Sequence, residues 1–141
     1  MRLASNGLIC CIFTFWTRKK IKIMNLLEEF NDYRSKMNER ILAEDNKVIK
    51  RFFNLDTNTY AEGELDVKSK EMIGLACSMV LRCDDCIKYH LGKSFEAGVG
   101  RKEVFEVFSI AMVIGGSIVI PHLRRAVEYW EELEKQAPNH V

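Results

Sequence analysis

Two cysteines and a histidine lie within one short stretch of the sequence, at spacings that place them on one side of a helix. Cys86 follows Cys83 by three residues, and His90 follows Cys86 by four. Residues three, four and seven apart share a helix face, so both thiols and the imidazole would lie together. Two such thiols can close a small disulfide or share a metal, and at a helix N-terminus the dipole favours their thiolates. The stretch therefore predicts a reactive thiol site.

Glu71 is a candidate partner for this site. It stands at the start of an almost continuous apolar run, from Met72 to Leu81, that predicts a buried helix. A buried carboxylate needs a partner, and beside His90 it would orient the imidazole and serve as a base. The imidazole, one turn from Cys86, could take the thiol proton. Each residue also has an ordinary interpretation, since carboxylates suit early helical turns and an isolated histidine is more often structural.

A metal site formed by Cys83, Cys86 and His90 is the second interpretation of the same stretch. Structural zinc requires a fourth ligand, and the sequence has no second CxxC or HxxxH pair to supply it, although Glu71 could. Covalent haem attachment requires a histidine directly after the second cysteine, where Ile87 stands. We therefore expect neither a bound metal nor a bound cofactor.

Composition sets limits on the class of protein. The chain has 141 residues, of which 48% are hydrophobic and 29% charged, and its formal net charge is +1. This is ordinary globular usage with no electrostatic case for nucleic-acid binding. Five cysteines without a regular framework argue against a secreted disulfide scaffold, so a reducing, cytoplasmic location is expected.

The remaining pattern predicts an all-α domain of about six helices. Both prolines, Pro121 and Pro138, lie late in the chain, and apolar residues recur at threes and fours from residue 25 onward. Asn25 and Asp66 are expected to cap the first and third helices, and Gly98 to follow the end of the fourth. The fifth helix, about 101–114, reads as a core helix that is apolar nearly all round. Residues 117–120 have strand-like composition, but the start of a sixth helix is favoured there.

Residues 1–23 differ from the rest. A short apolar run, Leu8 to Trp16, precedes the basic cluster at residues 18–22. The run is too short to span a bilayer, and the order is wrong for a signal peptide. We expect an extension upstream of a natural start at Met24, with the helical domain covering residues 24–141. A weak membrane-surface anchor is the alternative.

The motif as a whole resembles a known family. Glu71, eleven further residues and then Cys83-x-x-Cys86-x-x-x-His90 resemble the signature of alkylhydroperoxidase D (AhpD) and the wider carboxymuconolactone decarboxylase family. The stretches KEMIGLACSMVLRCDDCIKYH and RKEVFEVFSIAMVIGG are similar to that family as well, so the resemblance covers about residues 45–133. It implies an all-helical, AhpD-like fold that assembles as a homo-oligomer, a trimer or a hexamer.

The resemblance also implies roles for four residues. Cys86 matches the cysteine that attacks the peroxide and becomes a sulfenic acid, and Cys83 the one that donates a proton and then resolves the sulfenate. Glu71 and His90 match the proton relay. AhpD carries a further histidine just before the second cysteine, where this sequence has Asp85. Asp85 and its neighbour Asp84 would oppose thiolate formation if they faced the sulfurs.

The function expected from this resemblance is that of a thiol-dependent peroxidase. Its partners would be a peroxide substrate and an external dithiol reductant, lipoyl or thioredoxin-like, with neither nucleic acid nor a membrane involved. Two alternatives come from other classes: a carboxymuconolactone decarboxylase-type enzyme, and a non-catalytic helical oligomer with a metal at the CxxC and His90. Family decarboxylases that open a lactone lack the CxxC pair, so its presence argues against the first of these.

Overall fold

The computed structural model describes residues 25–137, and over this range the chain is all-α, without a strand. The predicted fold class is confirmed. The six α-helices are α1 (Leu26–Ala43), α2 (Lys47–Thr59), α3 (Val67–Leu81), α4 (Asp84–Glu96), α5 (Arg101–Gly115) and α6 (Ile120–Gln136). The extension expected at residues 1–23 lies outside the described residues, so the domain boundary near Met24 stays a prediction.

Local sequence signals set the ends of the helices. The Asn25 and Asp66 side chains accept the backbone N–H groups that open α1 and α3. Gly98 follows α4 with φ 78°, a conformation that is cheap for glycine. The strand-like segment after α5 is instead a single turn of 3₁₀-helix, Ser117–Val119, that leads directly into α6.

The core lies between α3, α4, α5 and α6, where the apolar faces of the four helices meet. Trp130 of α6 and Phe108 of α5 are among the largest buried side chains. Helix α1 packs against α6, where the ring of Phe30 meets Tyr129 edge-on with 6.0 Å between ring centres. The fold thereby fixes α3 and α4, the two helices that carry the predicted motif.

Helices α3 and α5 are less buried than their sequences predicted. Leu81 of α3 is 74% exposed, and Val113 of α5 is 86% exposed, with Ile110 and Ile114 beside it. The two helices pack on each other and on the core through one face each, and no element of the described chain covers the other faces. Exposed apolar side chains grouped in this way mark interaction surfaces.

Helix α2 lies at the edge of the fold. None of its residues is buried, and Val48, Phe52 and Leu55 are largely exposed. Nevertheless, its C-terminal end reaches the predicted site, as described below. No helix within residues 25–137 combines the length and the apolar character needed to cross a membrane.

Candidate active site

A tight junction between α3 and α4 positions the two cysteines. Arg82 caps α3 in the left-handed conformation, with φ 59°, and Cys83 is the N-cap of α4. The Cys83 backbone N–H donates to the carbonyl oxygen of Ser78 at 3.1 Å, which ties the start of α4 to the end of α3. The predicted placement of the pair at a helix N-terminus is confirmed.

Cys83 and Cys86 form a disulfide, with 5.2 Å between their Cα atoms. The two sulfurs have different surroundings. Cys83 is half-buried, and its Sγ accepts the backbone N–H of Cys86 at 3.3 Å, whereas Cys86 is exposed. Negative charge on Cys83 would therefore be stabilised by the first turn of α4, while Cys86 is the sulfur that solvent molecules reach.

Glu71 and His90 are in direct contact. The Glu71 Oε2 atom lies 2.7 Å from His90 Nδ1, and both side chains are buried, with exposures of 2% and 8%. A carboxylate only accepts, so His90 donates its Nδ1–H, and in the neutral ring Nε2 keeps the lone pair. The contact orients the imidazole and directs Nε2 away from Glu71.

Tyr60, which sequence reasoning missed, lies beside that second nitrogen. Its Oη atom is 3.5 Å from His90 Nε2, and the two ring centres are 5.1 Å apart. Burial, and then the negative charge of Glu71, raises the pKa of the Tyr60 hydroxyl above its usual value, which keeps it protonated. Tyr60 caps α2 in a stretch that reads as polar loop, so no periodic pattern pointed to it.

The space for this contact comes from Gly74, in the buried middle of α3. A Cβ atom there would lie 2.6 Å from His90 Cε1, 2.8 Å from His90 Nδ1 and 2.7 Å from Tyr60 Oη. Carbon atoms at ordinary contact are roughly 3.5–4.0 Å apart. A glycine inside a buried helix was the one sequence signal that could have indicated a close approach at this point.

A pocket of about 360 Å³ opens at Cys86 and His90. Its walls come from α1, α2 and α4 and are mainly aromatic and apolar. They include Phe30, Tyr33, Met37, Phe52, Phe53 and Tyr89. The guanidinium carbon of Arg34 lies 4.0 Å above the Tyr89 ring, a cation–π arrangement at the edge of the pocket. The arrangement gives an apolar molecule access to the Cys86 sulfur.

The two acids beside the cysteines differ. Asp84 accepts hydrogen bonds from His122 Nδ1 at 2.8 Å and from Arg125 Nε at 3.1 Å, both on α6. Burial alone would raise the pKa of Asp84, but these bonds and the adjacent positive charge hold it below its usual value. The negative charge of Asp84 is thus paired with side chains of α6 and not with the cysteines. Asp85, in contrast, is exposed and lines the pocket.

In the described part of the chain, no group of three or more histidine, cysteine and acidic side chains is arranged to hold a metal ion. The two sulfurs that the metal hypothesis requires are bonded to each other. The structure brings together all four predicted residues as two pairs: the disulfide at the start of α4, and the contact between Glu71 of α3 and His90, one turn further along α4.

The family model of the carboxymuconolactone decarboxylase family matches residues 46–129, more than half of the chain. The protein belongs to this family, which confirms the resemblance noted in the sequence. The family includes enzymes.

Solved structures agree. A protein from Thermotoga maritima is 52% identical and superposes with a TM-score of 0.77, covering 79% of this chain and 97% of that one. A second crystal structure of that Thermotoga protein is described as a member of the same family with a suggested involvement in an antioxidative response. A family member from Legionella pneumophila, 23% identical with a TM-score of 0.70, covers 76% of this chain and 96% of its own, and shares the fold.

Two curated relatives are more distant. An uncharacterized protein of Cupriavidus necator is 28% identical over 72 residues, which is 51% of this chain and 64% of that protein's length. An uncharacterized protein encoded in the cox locus of Paracoccus denitrificans is 24% identical over 83 residues, or 59% of this chain and 75% of its own.

Proposed function

We propose that the protein is a thiol-dependent peroxidase of the alkylhydroperoxidase kind. The observation that carries the proposal is the Cys83–Cys86 disulfide at the start of α4, with Cys86 opening to a pocket that His90 also lines. The buried Glu71–His90 contact supplies a base in the same place. Membership of the family and the antioxidative role suggested for the Thermotoga relative support the same reading.

In the oxidative half-reaction, His90 takes the proton of the Cys86 thiol, and the thiolate attacks one peroxide oxygen. The O–O bond breaks, an S–O bond forms, and the alkoxide leaves as the alcohol after taking up a proton. Cys86 is then a sulfenic acid. The Cys83 thiol attacks the Cys86 sulfur and releases water, so the cysteine pair loses the two electrons that the peroxide gains.

The surroundings of the two sulfurs favour attack by the reductant at Cys86 in the reductive half-reaction. A dithiol reductant, lipoyl or thioredoxin-like, reaches the exposed Cys86 sulfur more readily than the half-buried Cys83. Attack at Cys86 breaks the disulfide and releases Cys83 as a thiolate, which the Cys86 backbone N–H and the helix dipole stabilise. The second thiol of the reductant then attacks the mixed disulfide, frees Cys86 and leaves as part of an oxidised dithiol.

The proposal extends to substrate and assembly. The aromatic and apolar walls of the pocket suit the organic part of an alkyl or aryl hydroperoxide better than hydrogen peroxide, which has no apolar surface to bury. The exposed apolar faces of α3 and α5 suit contacts between copies of the chain, in a trimer or hexamer as the family resemblance implies.

Peroxide turnover with a defined dithiol tests the function. Cumene hydroperoxide and dihydrolipoamide are mixed with the protein, and the expected result is catalytic peroxide loss that disappears in Cys86→Ser. Cys77→Ser is the matched control, because Cys77 is an exposed free cysteine on α3. Mass spectrometry after one equivalent of peroxide should show a Cys83–Cys86 disulfide.

Two outcomes would contradict the proposal. One is a pair of free thiols at positions 83 and 86 after peroxide treatment. The other is turnover of a lactone acid that survives alkylation of both thiols, which would favour the decarboxylase-type enzyme instead.

A further inference from the structure

We propose that Tyr60 is a positioning residue for His90, with its hydroxyl donating to Nε2 and setting how readily that nitrogen takes a proton from Cys86. The inference rests on the proposed function, since it concerns the same base. Its evidence is the geometry around the second ring nitrogen of His90.

The first step concerns the direction of the hydrogen bond. Glu71 occupies Nδ1 as an acceptor at 2.7 Å, so the neutral His90 ring presents a lone pair at Nε2. The Tyr60 Oη atom, 3.5 Å away, is the hydroxyl that faces this nitrogen, and it remains protonated because burial and Glu71 raise its pKa. Tyr60 therefore donates and His90 accepts.

The second step concerns how closely the fold brings these groups together. Gly74 gives up helix propensity, about 1 kcal/mol relative to alanine, at a buried position in the middle of α3. The space that its missing side chain leaves is shared by the His90 ring and the Tyr60 hydroxyl, both within 2.8 Å of where a Cβ atom would stand. A single glycine thus accommodates both members of the pair.

The third step concerns what holds Tyr60 in place. Tyr60 is the C-cap of α2, and the following carbonyl group, that of Ala61, accepts a hydrogen bond from Lys70 Nζ at 2.5 Å. Because Lys70 lies on α3 next to Glu71, this contact anchors the end of α2 to the helix that carries Glu71, the partner of His90. Tyr60 is therefore held from α3, although α2 itself buries no residue.

The consequence differs between the two redox states. In the disulfide state no thiol is present to donate to Nε2, and the Tyr60 hydroxyl satisfies it. After reduction the Cys86 thiol competes for the same lone pair. The titratable and charged groups around this pair are Glu71 and Cys77 from α3, Asp85, Cys86 and Tyr89 from α4, Asp56 from α2 and Arg34 from α1. A hydrogen bond donated to Nε2 can form only with the neutral His90 ring. Removing the Tyr60 hydroxyl therefore takes away an interaction that only the neutral ring makes, and the acid limb of the pH profile should move to higher pH.

The test compares Tyr60→Phe with Tyr129→Phe. The phenyl ring at position 60 keeps the packing on His90, so the fold is retained, and Tyr129 is a matched control because its ring contacts Phe30 in the core. The first readout is the ¹⁵N resonance of His90 Nε2 in the oxidised protein. We expect it to move in Tyr60→Phe toward the position of an unbonded lone-pair nitrogen, and to stay in place in Tyr129→Phe.

The second readout is the pH profile of peroxide oxidation of the reduced protein. The Tyr60–His90 contact is long, at 3.5 Å, so its loss should shift the acid limb in Tyr60→Phe toward higher pH by a few-fold in proton concentration, at most about 10-fold. An unchanged Nε2 resonance together with an unchanged acid limb would overturn the proposal, as would an equal shift in Tyr129→Phe. If the wild-type protein does not react with peroxide, the proposed function fails, while the ¹⁵N readout still decides the role of Tyr60.

Discussion

Replacing Gly74 with alanine is the sharpest perturbation of the site that the structure offers, because it adds one methyl group between the side chains of His90 and Tyr60. The new Cβ atom would stand 2.6 Å from His90 Cε1 and 2.7 Å from Tyr60 Oη. Ordinary contact begins near 3.4 Å, so the His90 ring must move by roughly 0.8 Å or rotate. His90 cannot move that far and keep its 2.7 Å contact with Glu71.

The magnitude of the effect follows from that displacement. Catalytic groups need to be held within about 0.5 Å of their productive geometry, and a misplacement of ~1 Å can cost ~10²-fold in rate. We therefore expect Gly74→Ala to lower peroxide turnover by about 10²-fold. The free energy of unfolding should be affected less than the activity is. The gain of ~1 kcal/mol in helix propensity opposes a cost of about 1–3 kcal/mol from overpacking.

Gly92→Ala is the matched control. Gly92 lies inside α4, and a Cβ atom there would meet no atom within 4 Å. This variant should keep full turnover and gain about 0.5–1 kcal/mol in the free energy of unfolding. Steady-state kinetics with cumene hydroperoxide and urea unfolding of the oxidised proteins provide the measurements. Near-native turnover in a folded Gly74→Ala protein would refute the packing argument, and so would an equal loss in Gly92→Ala.

Three further predictions address the relay, the acid beside the cysteines and the assembly. Glu71→Gln and His90→Gln should each lower peroxide turnover by ~10²–10⁴-fold. The double variant should be little worse in the same kinetic assay, because the effects of two parts of one relay are not additive. If the two effects instead multiply, Glu71 and His90 have separate roles. Arg125→Gln should lower the free energy of unfolding, measured in urea at neutral pH, by up to about 1 kcal/mol. The matched control, Arg124→Gln on the same helix, should lower it less. Burial tends to raise the pKa of Asp84, but its hydrogen bonds hold the pKa of the folded protein below the unfolded value. The contribution of Asp84 to the free energy of unfolding is therefore fully present above the unfolded pKa. It should vanish as pH falls through the lower pKa of the folded protein. Val113→Glu should reduce the mass found by light scattering at micromolar concentration, and a monomeric wild-type protein would contradict the proposed oligomer.

The parts of the fold that the sequence predicts well are those set by neighbours in the chain. Cys83 and Cys86 fall on the first turn of α4 because helical spacing is local, and Asn25, Asp66 and Gly98 act within a few residues of the helix ends that they define. These expectations are confirmed. The catalytic roles of the motif residues remain predictions, since geometry places them without testing their chemistry.

The parts that the sequence does not predict depend on contacts between distant residues. Tyr60 lies thirty residues before His90, at a helix end without periodic pattern, and the two side chains meet over Gly74 of α3, which leaves room for both. Arg125 pairs with Asp84 across forty-one residues. The apolar faces of α5 raise a different difficulty, because residues such as Val113 have the same composition whether they face the core or another copy of the chain.

In the proposed peroxidase, the reacting groups and the substrate-facing wall lie on different parts of the fold. The disulfide and His90 lie on α4 and Glu71 lies on α3, two helices that each bury one face in the core. The far wall of the pocket comes from α1 and α2, including Phe52 and Phe53 of a helix that buries no residue. The side chains that α2 contributes to that wall can change in size or charge without disturbing the core, whereas Phe30 of α1 belongs to the core. Tyr60 joins the two parts, because it ends α2 and contacts His90. In the role proposed for Tyr60, a shift of the end of α2 would be transmitted to His90 through the Tyr60 hydroxyl.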